Sequence, residues 1–131
     1  MFINDDGLQI IDEEERQARI DFYTDHSISW TARPKHGEDG FVRKGKFKKA
    51  SNMNYGLMLS NNVEARLEKV ERTEKWSQNE EAQEYERCLK EVLVENGRAW
   101  ADGNIRMGDY ILLSGFSFLA ISCLLLLTLP S

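Results

Sequence analysis

The chain has 131 residues, one small domain's worth, of which 41% are hydrophobic and 30% charged, with a formal net charge of −5. That acidic balance argues against a general nucleic-acid binder, which is usually basic. Its two cysteines, Cys88 and Cys123, make neither a disulfide framework nor a zinc site and favour a reducing, cytosol-facing location.

Met1 to Gly7 carry neither the basic region nor the apolar stretch of a signal peptide. Phe2 and Ile3 run into Asn4, Asp5, Asp6 and Gly7, which predicts the end of a strand entering a turn. A helix is expected over Asp12 to Tyr23: Glu13, Glu14 and Glu15 suit its positive end, and Ile11, Ala18 and Phe22 would form its buried face. Ile28 to Ala32 alternates as a short strand, and Pro34, Gly37 and Gly40 then mark a loop. Arg33, Lys35, Arg43, Lys44, Lys46, Lys48 and Lys49 crowd this region, opposed only by Glu38 and Asp39.

Ser51 is the expected cap of a second helix whose apolar positions include Met53, Leu57, Val63 and Leu67. Glu68 to Glu81 is highly charged and expected to face solvent. Asn79 to Glu95 reads as an amphipathic helix with Ala82, Tyr85, Cys88, Leu89 and Val92 on one side, ended by Asn96-Gly97. Asp109 to Leu113 is the candidate for a buried parallel strand. Strand, helix, strand, helix, helix, strand predicts an α/β fold with a mostly parallel sheet.

Asp5 and Asp6 sit where such sheets place ligand contacts, at the carboxyl end of a strand. Carboxylates there accept hydrogen bonds from a ribose or a base; the alternative is an ordinary acidic turn. The basic stretch precedes a helix N-terminus, a place that holds phosphate through side-chain charge and backbone N–H groups. Its alternative is a solvated loop, or one that touches anionic lipid or nucleic acid. The P-loop pattern G-x-x-x-x-G-K-[ST] is absent. His26 and His36 lack a second ligand at metal spacing and read as surface or packing residues. Trp30, Trp76 and Trp100 read as core or amphipathic anchors, with a carbohydrate platform left open for Trp100 beside Ala101-Asp102.

Asp5-Asp6-Gly7 resembles the acidic turn after an early strand in family 2 glycosyltransferases. Arg43-Lys-Gly-Lys-Phe-Lys-Lys-Ala-Ser-Asn-Met-Asn-Tyr-Gly-Leu57 is similar to that family's lysine–alanine–x–asparagine–x–asparagine segment, with wording and spacing especially similar to large fungal membrane-bound polysaccharide synthases. Gly108-Asp-Tyr-Ile-Leu-Leu113 resembles the strand leading to the family's Asp-x-Asp motif. The resemblance covers residues 1–113 and implies an N-terminal part of the catalytic domain: a partial Rossmann-like, GT-A type fold that binds a nucleotide-diphosphate sugar. It places Asp5 and Asp6 on the nucleoside and Lys49 and Asn54 near the sugar-nucleotide pocket, with Lys48 an equal candidate beside Lys49. Mg²⁺ or Mn²⁺ is implied for the family. This chain has no Asp-x-Asp, later catalytic base or Gln-x-x-Arg-Trp segment, so no catalytic or metal residue is assigned and no turnover by the chain alone is expected.

Tyr110 to Leu129 carries no charged residue, and its 20 residues can cross a hydrocarbon core of roughly 30 Å as a helix. Arg98 and Arg106 precede it, as the positive-inside bias prefers, so residues 1–109 would be a cytosolic domain and 110–129 a single-pass anchor. Because the resemblance stops at Leu113, residues 114–131 read equally as read-through of a non-coding segment or a shifted frame. The competing function is a non-catalytic, membrane-tethered interaction module whose basic loop meets anionic lipid or a protein partner.

Overall fold

The computed structural model describes residues 1–38, 41–44 and 49–108. Their elements are β1 (Phe2–Asn4), α1 (Glu13–Asp25), β2 (Ser29–Ala32), α2 (Lys49–Leu67), α3 (Gln78–Glu95) and β3 (Trp100–Asp102). The fold is α/β, with a three-stranded sheet in the order β1-β2-β3.

Local chemistry accounts for the helix ends. The Asp12 carboxylate accepts from the Glu15 N–H at 2.9 Å, and three glutamates fill the first turn of α1 where its dipole favours them. Ser77 and Glu80 form a reciprocal capping box at the start of α3, and Gly97, at a positive φ of 61°, lets the chain turn away after Asn96. Ser51 is not a cap: α2 already runs from Lys49, and the Ser51 hydroxyl instead accepts from the Arg33 guanidinium at 2.8 Å.

β1 and β2 pair in parallel, with Phe2 opposite Ser29, and α1 makes the crossover. β3 runs antiparallel to β2, with Trp30 opposite Asp102, so the sheet is mixed rather than mostly parallel. This last strand was not expected, since Trp100-Ala-Asp102 is too short for alternation to register; the anticipated strand Asp109–Leu113 lies outside the described residues.

Strand alternation divides the apolar residues between two cores. Phe2 and Ala101 face Leu59, Val63 and Leu67 of α2 and Cys88, Leu89 and Val92 of α3, together with Ile105. Ile3, Trp30, Ala32 and Trp100 face the α1 side with Leu8 and Tyr23. On α1 the inward residue is Tyr23, whereas Ala18 and Phe22 are exposed. Of the expected face only Ile11 packs against this core, and Tyr23 turns inward beside Phe22, its hydroxyl donating to the buried Asp5 carboxylate.

The charged connection between α2 and α3 is pinned by Arg72, whose Nε and Nη2 each donate to Glu81 at 2.8 Å, while Trp76 Nε1 donates at 2.9 Å. Arg72 chiefly, with Trp76, holds the Glu81 carboxyl down at about 2 against an ordinary 4.5. A depressed folded-state value means the contact stabilises fully above about pH 4.5 and is lost as pH falls through 2. Acid titration followed by amide exchange is therefore expected to loosen residues 71–77 across that window, and Glu81→Gln to flatten the response.

Candidate functional site

The carboxyl ends of β1 and β2 and the first turn of α2 converge on the Asp5-Asp6 turn. Asn4 closes β1: its Oδ1 accepts from the Thr31 hydroxyl at 2.7 Å and its carbonyl accepts from Asn52 Nδ2 at 3.1 Å. Gly56 lets α2 lie against this residue, since a Cβ there would overlap Asn4 Oδ1 and lie 2.8 Å from its Cγ.

Asp5 is buried and turned toward α1. Its carboxylate accepts from the Tyr23 hydroxyl at 2.8 Å, the Gly7 N–H at 2.9 Å and Arg19 Nη1 at 3.3 Å. Burial, reinforced by the hydrogen bond to this carboxylate, pushes the Tyr23 phenol up to about 12. Asp5 thus fixes the turn from below, with its oxygens engaged inside the protein.

Asp6 points the other way, into two arginines. Arg33 grips it through two hydrogen bonds, Nε to Oδ1 at 2.6 Å and Nη2 to Oδ2 at 2.9 Å, and Arg43 Nη1 lies 3.0 Å from Oδ1. The Arg33 side chain is 0% exposed and that of Arg43 5%, against 36% for Asp6. Arg43 Nε also donates to the Pro34 carbonyl at 3.0 Å, and its backbone N–H to His36 Nδ1 at 3.1 Å. Burial lowers the Arg43 guanidinium, while the Asp6 carboxylate raises it. The triad straps the 33–43 segment across the end of β1 and, through Ser51, onto α2.

Lys49, the first residue of α2, is exposed two positions before Ser51. Asn54 is exposed on a side of α2 roughly opposite Asn52 and Gly56, so it is Asn52 that reaches β1. Of the four expected site residues, the structure therefore brings Asp6 to an open edge, leaves Lys49 exposed at the start of α2, buries Asp5 and turns Asn54 away. Arg33, Arg43, Ser51 and Asn52 were not among the expected site residues; each lies within the basic stretch or the asparagine segment, but local spacing does not say which side chains turn inward. Lys46 and Lys48 lie outside the described residues.

Among the described residues no three His, Cys, Asp or Glu side chains gather to hold a metal ion. The turn's own donor set does not fit Mg²⁺ or Mn²⁺, because Asp6 is shared between two guanidiniums and Asp5 is committed to Tyr23 and Arg19. Among the described residues no helix is long and apolar enough to cross a membrane, and Tyr110 to Leu129 lies outside them. No protein-family model, curated protein or solved structure matches the chain.

Proposed function

We propose that this chain is the nucleotide-sugar-binding part of a family 2 type glycosyltransferase, built on a Rossmann-like half-sheet and held at a membrane through residues 110–129. The observation that carries the reading is the Asp6 carboxylate, presented to solvent between Arg33 and Arg43 beside the first turn of α2. The α2 N-terminal N–H groups and exposed Lys49 attract a diphosphate. Among the described residues Asp6 Oδ2 takes a single hydrogen bond, from Arg33 Nη2, so it can accept another from a ribose hydroxyl or a base N–H. This chain carries no Asp-x-Asp to hold a divalent ion, so it binds donor without transferring sugar. Inward-turned Arg33 and Arg43 leave fewer cations for a lipid surface, which weighs against the interaction-module alternative.

Titration of the full chain in detergent micelles with UDP and GDP tests this. The expected result is saturable, salt-sensitive binding on the order of 1 mM. Backbone shifts should centre on Asp6 and Lys49, and Lys49→Ala should weaken binding roughly threefold. Sugar transfer by the purified chain, or no shift at about 10 mM nucleotide, defeats the proposal. So does binding to anionic vesicles that ignores nucleotide.

A further inference from the structure

Among the described residues β3 has no partner on its outer edge, where a groove opens. Ser29 N–H donates to the Met1 carbonyl at 3.0 Å and Asp5 N–H to the Thr31 carbonyl at 2.9 Å, so Ser29 and Thr31 turn their peptide groups toward β1. Alternation gives those of Trp30 and Ala32 to β3, where their register partners are Asp102 and Trp100. Ala101, between these two, therefore turns its N–H and C=O outward. The order β1-β2-β3 leaves no strand beside it among the described residues.

Facing this edge is α3. Ala82, Tyr85, Leu89 and Leu93 line one side and Ala101 the other of a cavity of about 710 Å³. The cavity's end is braced: the Tyr85 hydroxyl accepts from the Ile105 N–H at 2.7 Å and donates to the Gly103 carbonyl at 3.2 Å. An open strand edge beside an apolar helix wall is the arrangement that takes an extended peptide. The strand supplies main-chain hydrogen bonds and the wall takes alternate side chains.

Charge narrows the occupant. Glu81 pairs with Arg72, Glu86 with Lys90 and Arg106 with Glu64. Asp102 is exposed and has no ion pair among the described residues. On β3, Ala101 faces the α3 side and Asp102 the opposite one, so an added strand would set apolar residues against Leu89 and Leu93 and, at alternate positions, a Lys or Arg across from Asp102. We propose that this groove binds an extended, basic polypeptide segment that joins the sheet beside β3. The inference does not depend on nucleotide-sugar binding, which uses the far ends of β1 and β2.

The test is titration of the full chain in detergent micelles with the peptide acetyl-Lys-Val-Lys-Val-Lys-amide. Saturable shifts at Ala101 and Leu93 are expected, with a Kd on the order of 100 µM and slower exchange of the Ala101 N–H. The same peptide N-methylated at both valines should lose this binding. Ala101→Pro removes only the outward N–H, and Ala82→Arg obstructs the groove from an exposed position; each should weaken binding at least about tenfold, or 1.4 kcal/mol. Absence of saturable shifts, or equal binding by the N-methylated peptide, overturns the proposal. An Ala101 N–H already protected without peptide overturns it too: protection independent of protein concentration assigns the groove to this chain's own residues, and concentration-dependent protection to a second copy.

Discussion

Asp6→Ala is expected to lower the unfolding free energy by about 3 kcal/mol. The substitution removes the carboxylate shared by two guanidiniums that are 0% and 5% exposed. Removing one partner of a buried ionic cluster costs about 3–5 kcal/mol. The lower end applies because Asp6 is 36% exposed and water can enter where its carboxylate was. Arg33→Met should cost less, since Asp6 keeps Arg43 and solvent. Urea unfolding of the three proteins measures the difference. Formate at high concentration should restore part of the Asp6→Ala loss by refilling the gap between the arginines, whereas chloride at equal ionic strength should not. A loss below about 1 kcal/mol would mean that the arginines are hydrated and that the strap is not held by charge.

Gly56→Ala is the second test, and its sign is informative. Helix propensity alone makes alanine better than glycine by about 1 kcal/mol. Here the new methyl meets Asn4, whose side chain cannot swing aside without leaving the buried Thr31 hydroxyl unpaired, at about 1–3 kcal/mol. Overpacking adds a cost of similar size. The net expectation is a destabilisation of about 2 kcal/mol, together with displacement of α2 from β1. In an Asn4→Ala background the obstacle is gone, and Gly56→Ala should become neutral or stabilising by up to about 1 kcal/mol. If the sign does not reverse between the two backgrounds, the close approach of α2 to β1 is not what glycine provides.

Which features were legible in the residues follows from how local their causes are. The Asp5-Asp6 turn, α1, β2 and α3 rest on turn formers, caps and short-range periodicity, and they appear within a residue or two of where those signals fall. β3 has only three residues and is held by its pairing with β2, which no nearby residue announces. The same reason hid the site's inner half. Arg33 and Arg43 belong to a run of cations whose local pattern is that of a solvated loop, and only the folded position of Asp6 distinguishes them from exposed Lys35 and Lys44. Asn52 and Asn54 are alike in type and two residues apart; helical rotation sends one to β1 and the other to solvent.

The mixed sheet also sets an order of assembly. β1, α1 and β2 are consecutive, and α2 and α3 form an adjacent pair, so each unit condenses by closing short loops. Trp100 meets Ala32 only across the whole of α2 and α3, the longest closure among the described strands. Its entropic cost falls on a three-residue strand with few bonds to offset it. β3 therefore docks last on refolding and opens first under native conditions, ahead of global unfolding, so the sheet passes through a two-stranded stage at both ends of its life.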